Sequence, residues 1–461
     1  MDVPALLEKV LGKRKIIRAP STKAYSKDES YLPGRIPIAA ARPENTSDIS
    51  KIAKICNSSK TSIVVRGGGS SLTGASIPTK GCVVIDMSKF NRIHETRIED
   101  EYVVVEPGVT IDRLNAHLSK YGYFYPPDPA SSSFATVGGT ISTNAGGLRA
   151  IMYGSTKEWV LGLEVVLPNG NVIWTGGRTT KRSVGYDLTS LIVGSEGTLG
   201  IVTKAILKIW PKPEATGRII SYYSTMEHAA KAVGKLKKSG IIPLSSEFMD
   251  LQSMLLMHEY MGIRFPSNAK YSMITDIAGN RESLPRLLSD SEKILVKSGA
   301  TDLLVSKSKA SMEKMYNARK YLFNATLKRA EKTGKTVVIA DIVVPSSSLP
   351  AALYEMEKAI RKHNMEVVLF GHIGDGNVHG NIIADPNKQQ KAIDTIQMEF
   401  GRIALRHGGS VSGEHGIGLA KKALLVEEMK IRKSEYSIKL MKGIKKSFDP
   451  NGILNNGKIF D

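Results

Sequence analysis

Three glycine- and hydroxyl-rich segments punctuate the first two hundred residues, and they limit what can be built there. Arg66-Gly67-Gly68-Gly69-Ser70-Ser71-Leu72-Thr73-Gly74 follows the β-branched run Ile63-Val64-Val65. Pro126-Pro127-Asp128-Pro129 leads through Ser131–Ser133 into Thr136-Val137-Gly138-Gly139-Thr140-Ile141-Ser142-Thr143-Asn144-Ala145-Gly146-Gly147. Gly194-Ser195-Glu196-Gly197-Thr198-Leu199-Gly200-Ile201 has the same character. Without a Cβ in the way, successive backbone N–H groups can converge on an anion. One such run fits a surface turn as well as a site. Three of them, separated by core strands, point to an extended, phosphate-bearing cofactor.

Two narrower nucleotide signatures fail. Gly67–Leu72 has Leu72 where the dinucleotide fingerprint needs its third glycine. Gly334-Lys335-Thr336 resembles the tail of a P-loop, but Arg329 replaces the opening glycine and a strand follows instead of a helix. A nicotinamide dehydrogenase and an NTPase are therefore disfavoured.

Around these segments, helical and extended patterns alternate. Thr46 or Ser47 is predicted to cap a helix carrying Ile49, Ile52, Ala53 and Cys56. Strands are predicted at Cys82–Ile85, Tyr102–Val105, Leu163–Leu167, Leu191–Val193 and Ile201–Ile209, with a turn at Pro168–Asn171. Pro211-Lys212-Pro213 marks a boundary. Beyond it, Met226–Lys238, Arg281–Ser298, Met312–Lys332 and Ala420–Ser447 read as helical, and Thr336–Val344 and Glu366–Phe370 as strands. Helices segregated from antiparallel hairpins indicate an α+β fold.

A length of 461 residues implies several domains. The 64 Lys+Arg outnumber the 44 Asp+Glu, a net charge of +20 that favours anionic partners. Nine of these basic residues lie between Lys421 and Lys446; they make either a solvated helix face or a dock for an acidic carrier or membrane surface. Aromatics are only 6%, with no zinc-finger or RNA-binding signature, so nucleic acid is not an expected partner. The two cysteines, Cys56 and Cys82, cannot ligate an iron–sulfur cluster. The longest apolar run, Val337–Val344, is broken by Asp341, and Met1–Ile17 lacks a signal-peptide core. A cytoplasmic chain without a cluster of its own is expected.

The most informative stretch is Phe370-Gly371-His372-Ile373-Gly374-Asp375-Gly376-Asn377-Val378-His379-Gly380-Asn381. A two-residue turn at Asp375-Gly376 would set His372 directly opposite His379, with Cβ atoms about 4.5–5.5 Å apart. Two imidazoles so placed can grip one metal ion, although a paired structural role is the simpler use of two histidines. Gly413-Glu414-His415-Gly416 offers the rest. Adjacent residues seldom face one ion together, so Glu414 could ligate while His415 acts as the base, a role to which imidazole side chains are suited. The plain alternative is a glycine-rich loop with an incidental Glu-His pair.

Together these motifs resemble the FAD-linked oxidases of the vanillyl-alcohol-oxidase type, and among them the D-2-hydroxy-acid dehydrogenases of D-lactate and glycolate-oxidase kind. The resemblance runs from about Ile36 to Phe460 and includes Tyr153-Gly154 and Leu161-Gly162-Leu163-Glu164. It implies an FAD-binding domain over 1–213, a substrate or cap domain over 214–420, and C-terminal helices over 421–461 returning to the first. Arg66, Gly67, Gly68, Gly69, Ser70, Ser71, Leu72 and Thr73 would hold the FAD pyrophosphate. Pro127, Ser131, Thr136, Gly139, Thr143, Asn144, Gly146, Glu196, Gly197 and Ile201 would line the rest. Members with covalent flavin carry a histidine in the glycine loop; Ser70 and Ser71 stand here, implying non-covalent FAD.

By the same resemblance His372, His379 and Glu414 match ligands of zinc or another divalent metal, and His415 matches the base. Arg319 matches an arginine that pairs with substrate carboxylate, and Asn381 a polar pocket residue. Relatives acting on hydroxyglutarate have a lysine and a threonine where Ile339 and Phe323 stand, so lactate- or glycolate-like acids are expected. Electrons would leave to an external quinone, carrier protein or iron–sulfur subunit. Peripheral contact with the inner face of a membrane and a homodimer are compatible with this reading. The competing readings are an alkyl-glycerone-phosphate-synthase-like transferase and a non-catalytic FAD-binding subunit.

Overall fold

The computed structural model describes residues 2–306, 308, 310, 313, 317 and 319–460. The chain divides into two compact units, one of residues 1–146, 154–212 and 414–461, the other of residues 147–153 and 213–413.

The first unit holds two main sheets. Strands β1 (Ile16–Arg18), β2 (Ala39–Ala41), β3 (Ile63–Arg66) and β4 (Val83–Asp86) lie in the order β1-β2-β4-β3, parallel except at β1. Ile49, Ile52, Ala53 and Cys56 of the Thr46–Ser58 helix pack onto Ile63, Val83 and Ile85 of this sheet. Asn45, not Thr46 or Ser47, caps that helix. Its side chain accepts the Asp48 N–H at 3.0 Å, while the Thr46 hydroxyl donates to Glu164.

The second sheet is antiparallel and joins β5 (Ile93–Arg97), β6 (Tyr102–Val105), β8 (Val160–Val166), β9 (Val172–Gly176) and β10 (Ile201–Lys208) in the order β5-β6-β10-β8-β9. A short ladder of β7 (Tyr123–Phe124) and β11 (Trp210–Pro211) stands beside it. The β8–β9 hairpin turns at Gly170, whose φ is 83°. Leu191–Val193, expected as a strand, lies at the end of a short helix, Leu188–Ile192, capped by Asp187. A brief apolar run fits a buried helical turn as well as a strand, and the cap decides between them. The helical pattern after Ala420 is two helices, Lys422–Ile431 and Tyr436–Phe448, parted near Lys433, which takes a positive φ of 53°.

The second unit is built on one antiparallel sheet of seven strands. These are β12 (Ala215–Tyr223), β13 (Ser245–Asp250), β14 (Tyr271–Gly279), β15 (Asp302–Ser306), β16 (Thr336–Val343), β17 (Glu366–His372) and β18 (Asn377–Ala384), in the order β15-β12-β14-β13-β17-β18-β16. On one face Ile220, Met249, Phe370, Val337 and Ile383 meet Met254 and Met257 of the Leu251–Met261 helix and Leu322, Ala325 and Ala330 of the Leu322–Lys332 helix. On the other, the Pro386–Arg406 helix lays Phe400 against the bare Cα of Gly380, and the Leu284–Lys297 helix lays Leu288 against Gly217. Of the helix predicted over Met312–Lys332, the Leu322–Lys332 portion forms; Met312, Lys314, Met315, Tyr316 and Ala318 lie outside the described residues. Among the described residues no helix is long and apolar enough to cross a membrane.

Candidate active site

In the second unit the two hairpin histidines meet, though not in the predicted register. The turn is a four-residue loop, Ile373–Gly376, so His372 pairs with Asn377 and Phe370 with His379. A two-residue turn of the predicted kind needs φ > 0 at both tip residues. Only Gly376 takes it, at 83°. A side chain there would lie 1.9 Å from the Val344 carbonyl oxygen. The change of register moves the pairing by two residues, and side chains alternate with period two. Both imidazoles therefore stay on one face, now diagonal. Their Nε2 atoms are 3.4 Å apart and their ring centroids 5.2 Å apart.

That face is a polar island in an apolar sheet. His372 Nδ1 lies 2.5 Å from Oε1 of Glu247, from β13, and Arg319 places NH2 2.9 Å from Oε2 of the same carboxylate. Glu247 is fully buried and Arg319 nearly so. Burial would raise the Glu247 carboxyl, but His372 and Arg319 beside it outweigh that and hold it below the usual value. The guanidinium carbon of Arg319 sits 4.5 Å above the centre of the Phe370 ring. On the other side of the histidines, Asp341 Oδ1 is 3.7 Å from His379 Nδ1 and accepts from Asn377 Nδ2 at 2.8 Å. Asp341 Oδ2 accepts from Ser412 Oγ and from the Gly413 N–H, each at 3.2 Å.

Asn381 is two residues along β18 on the same face, directly across from Ile339. It is fully buried, and neither its amide oxygen nor its nitrogen has a hydrogen-bond partner among the described residues. An orphaned buried amide costs on the order of 1–3 kcal/mol per group and is usually explained by a function. Nε of Arg319 is likewise buried and without a hydrogen-bond partner among the described residues. Two nitrogens held by one tetrahedral zinc at 2.0–2.1 Å lie about 3.3 Å apart, which the observed spacing fits. Sequence reasoning missed Glu247 and Asp341 as partners. The segment Ser245-Ser246-Glu247-Phe248-Met249-Asp250 carries no signal for the first, and the break in Val337–Val344 was the one available for the second.

In the first unit the three glycine segments converge. Phe134 O comes so close to Gly68 that a Cβ there would lie 1.9 Å from it, and one at Gly67 would lie 2.2 Å from Thr136 Oγ1. The Glu196 N–H donates to Ser142 O at 2.7 Å and the Gly194 N–H to Ile141 O at 2.9 Å, tying the third segment to the second. Thr136 caps the short Val137–Thr143 helix, which Asn144 closes in the left-handed region. Beneath the first loop, buried Lys458 donates to Gly74 O at 2.9 Å and Ile77 O at 2.7 Å, and burial pushes its ammonium down to about 8.

Glu414 and His415 belong to this unit and are wired to the same segments. Thr73 Oγ1 donates to His415 O at 3.3 Å, and the Leu419 and Ala420 N–H groups donate to Thr73 O at 2.8 and 3.1 Å. The Glu196 carboxylate accepts from the Ile417 and Gly418 N–H groups at 2.7 and 2.8 Å, and burial raises it against their pull. Nε2 of His415 lies 3.4 Å from Oε1 of Glu414. A Cβ on Gly146 would lie 2.9 Å from Oε2 of Glu414. The candidate base thus stands on a loop anchored by residues of the glycine clusters.

Residues 37–176 match the FAD binding domain family, and residues 212–459 match the family of FAD linked oxidases, C-terminal domain. The chain is 38% identical to the glycolate oxidase subunit GlcD of Bacillus subtilis (strain 168) across 95% of its own length and 92% of that protein's. It is 30% identical to a D-lactate dehydrogenase of Anaerostipes hadrus across 99% and 97% of the two. Its fold is similar to that of 4-ethylphenol oxidase from Gulosibacter chungangensis in its isoeugenol complex. The TM-score is 0.80, the identity 17% and the coverage 100% and 96%. The glycine clusters of the first unit, the family matches and these full-length relatives agree: the chain belongs to the FAD-linked oxidases.

Proposed function

We propose that this chain oxidises a D-2-hydroxy acid of the D-lactate or glycolate type to the 2-oxo acid. The observation that carries the reading is the facing pair of Nε2 atoms, 3.4 Å apart, with Arg319 and the unbonded amide of Asn381 on the same sheet face. The names of the relatives from Bacillus subtilis and Anaerostipes hadrus support the substrate class.

The residues Arg66–Thr73, Pro127, Ser131, Thr136, Gly139, Thr143, Asn144, Gly146, Glu196, Gly197 and Ile201 would hold FAD without a covalent link. The chemistry these residues would bring to the site with FAD is a two-electron acceptor for the hydride of the substrate carbon. A divalent metal, with zinc the first candidate, would be held by His372, His379 and Glu414 and would supply a charge able to acidify the substrate hydroxyl. His415 takes that proton on a ring nitrogen. Loss of one proton and one hydride turns the alcohol carbon into a carbonyl, and the two electrons go on to an acceptor outside the chain, a quinone, carrier protein or iron–sulfur subunit.

Arg319 orients the substrate by pairing with its carboxylate. One terminal nitrogen contacts Glu247, and Nε, which has no hydrogen-bond partner among the described residues, is one of the donors open to the acid. Asn381 offers both a donor and an acceptor to the bound acid. Ile339 and Phe323 pack against the apolar cluster of the sheet, so a second carboxylate would meet hydrocarbon, which favours monocarboxylic acids. Anaerobic mixing with D-lactate, glycolate or D-2-hydroxyglutarate, followed by flavin absorbance, tests the reading. Bleaching by either of the first two is the expected result. Bleaching by none refutes the dehydrogenase reading in favour of a transferase or a binding subunit, and preference for the dicarboxylate refutes the substrate class.

A further inference from the structure

The pair His372–Arg319 is bridged by a single carboxylate that none of the site motifs contains. We propose that Glu247 is a positioning residue: it fixes the His372 ring in the Nδ1–H tautomer and holds Arg319 in register with it, so that the metal-facing nitrogen and the substrate-facing guanidinium are set by one group. This rests on the roles given to His372 and Arg319 above, and deepens them.

The geometry is specific. β13 lies beside β17 with Phe248 paired to Gly371 and Met249 to Phe370, which brings Glu247 level with His372. Oε1 is 2.5 Å from His372 Nδ1 and Oε2 is 2.9 Å from Arg319 NH2, so the two oxygens are divided between two cations or donors. A carboxylate can only accept, so the ring carries a proton on Nδ1, and the neutral ring then presents its lone pair at Nε2. Nε2 is the atom that faces His379 Nε2 at 3.4 Å. A second partner that fixes tautomer and ring orientation is the usual device behind a ligating imidazole. Glu247 faces Ile274 across β13–β14, and a buried charge in such surroundings is tolerated only when paired. Arg319 is pinned from both sides, by Glu247 and by the Phe370 ring, which leaves its rotamer little freedom.

The test uses the full-length flavoprotein with Glu247→Ala and the isosteric Glu247→Gln. Ring-nitrogen NMR of the metal-free protein, with His372 assigned through His372→Gln, reads the tautomer directly. Wild type is expected to show Nδ1–H at His372, and Glu247→Ala a mixture or the reverse. Zinc competition titration is expected to weaken roughly 10–100-fold in either variant. KM for the hydroxy acid is expected to rise more than kcat falls, because the Arg319 arm is released. A His372 tautomer unchanged in Glu247→Ala overturns the proposal, as does unchanged zinc affinity in a variant whose tautomer has changed. If Glu247→Ala does not fold, Glu247→Leu, which offers Nδ1 no acceptor, carries the same readings. If wild type takes up no zinc, the metal assignment fails, while the tautomer still decides the role of Glu247.

Discussion

The Nε2 atoms of His372 and His379 approach to 3.4 Å although the two residues are not opposite each other in their hairpin. The contact is diagonal and made by the rings rather than by adjacent Cβ atoms. Each ring has a carboxylate on its outer side, Glu247 2.5 Å from His372 Nδ1 and Asp341 3.7 Å from His379 Nδ1.

Removing one nitrogen should remove the metal. In His379→Ala, zinc measured by elemental analysis should fall well below one per chain. Turnover should drop at least about a hundredfold, equivalent to about 3 kcal/mol of transition-state stabilisation. Chelation of the wild type should produce the same loss, reversed by adding back a divalent metal. Full activity after exhaustive chelation would dismiss the ion.

His415→Ala should leave flavin absorbance and the thermal midpoint as in wild type, because Thr73 holds position 415 through its backbone carbonyl. Flavin reduction by D-lactate should slow by about 10²–10⁴-fold, the usual contribution of a positioned base. Near-normal reduction in stopped flow would take the proton-acceptor role away from this histidine.

Gly68→Ala tests the first glycine loop without touching the second unit. The new Cβ would lie 1.9 Å from Phe134 O, so the loop or its neighbour must shift, costing about 1–3 kcal/mol. Purified variant should carry substoichiometric FAD and melt lower, with added FAD restoring part of the difference. Normal flavin content would show that this close approach does not matter to the cofactor.

Asp250 supplies a pH signature. Its carboxylate caps the Leu251–Met261 helix by accepting the Ser253 N–H at 2.8 Å and also receives the Leu369 N–H, yet burial pushes its carboxyl up to about 6. The folded chain thus holds this proton more tightly than the unfolded chain, whose aspartates titrate near 3.9. The stability it contributes is complete below about pH 4 and is lost as pH rises through about 6. Asparagine keeps the cap and cannot ionise. Relative to its value at pH 4, the stability of Asp250→Asn, read from thermal unfolding, should therefore gain on wild type as pH rises through 6, by up to about 3 kcal/mol at neutrality. Parallel curves for the two proteins would rule this out.

Much of the first unit was legible because its signals are local. The turn at Pro168–Asn171, the apolar face Ile49, Ile52, Ala53 and Cys56, and the glycine runs each declare themselves within a dozen residues. Where local signals were short they misled: Leu191–Val193 is helix-end, and a cap expected at Thr46 or Ser47 is at Asn45. In the second unit β12, β13, β14 and the Pro386–Arg406 helix went unread, since strands buried on both faces show little alternation.

What the sequence determined by itself was chemistry: which imidazoles, carboxylates and glycines are present, and that His372 and His379 share a face. The period-two alternation of a strand guarantees this in any register that differs by an even step. What only the tertiary structure decided was company. Strand order places β13 beside β17, and so brings a glutamate from 125 residues upstream onto His372 and Arg319. Neighbours in a sheet are chosen by how the whole chain buries its apolar faces, and that choice leaves no mark in the residues on either side of Glu247.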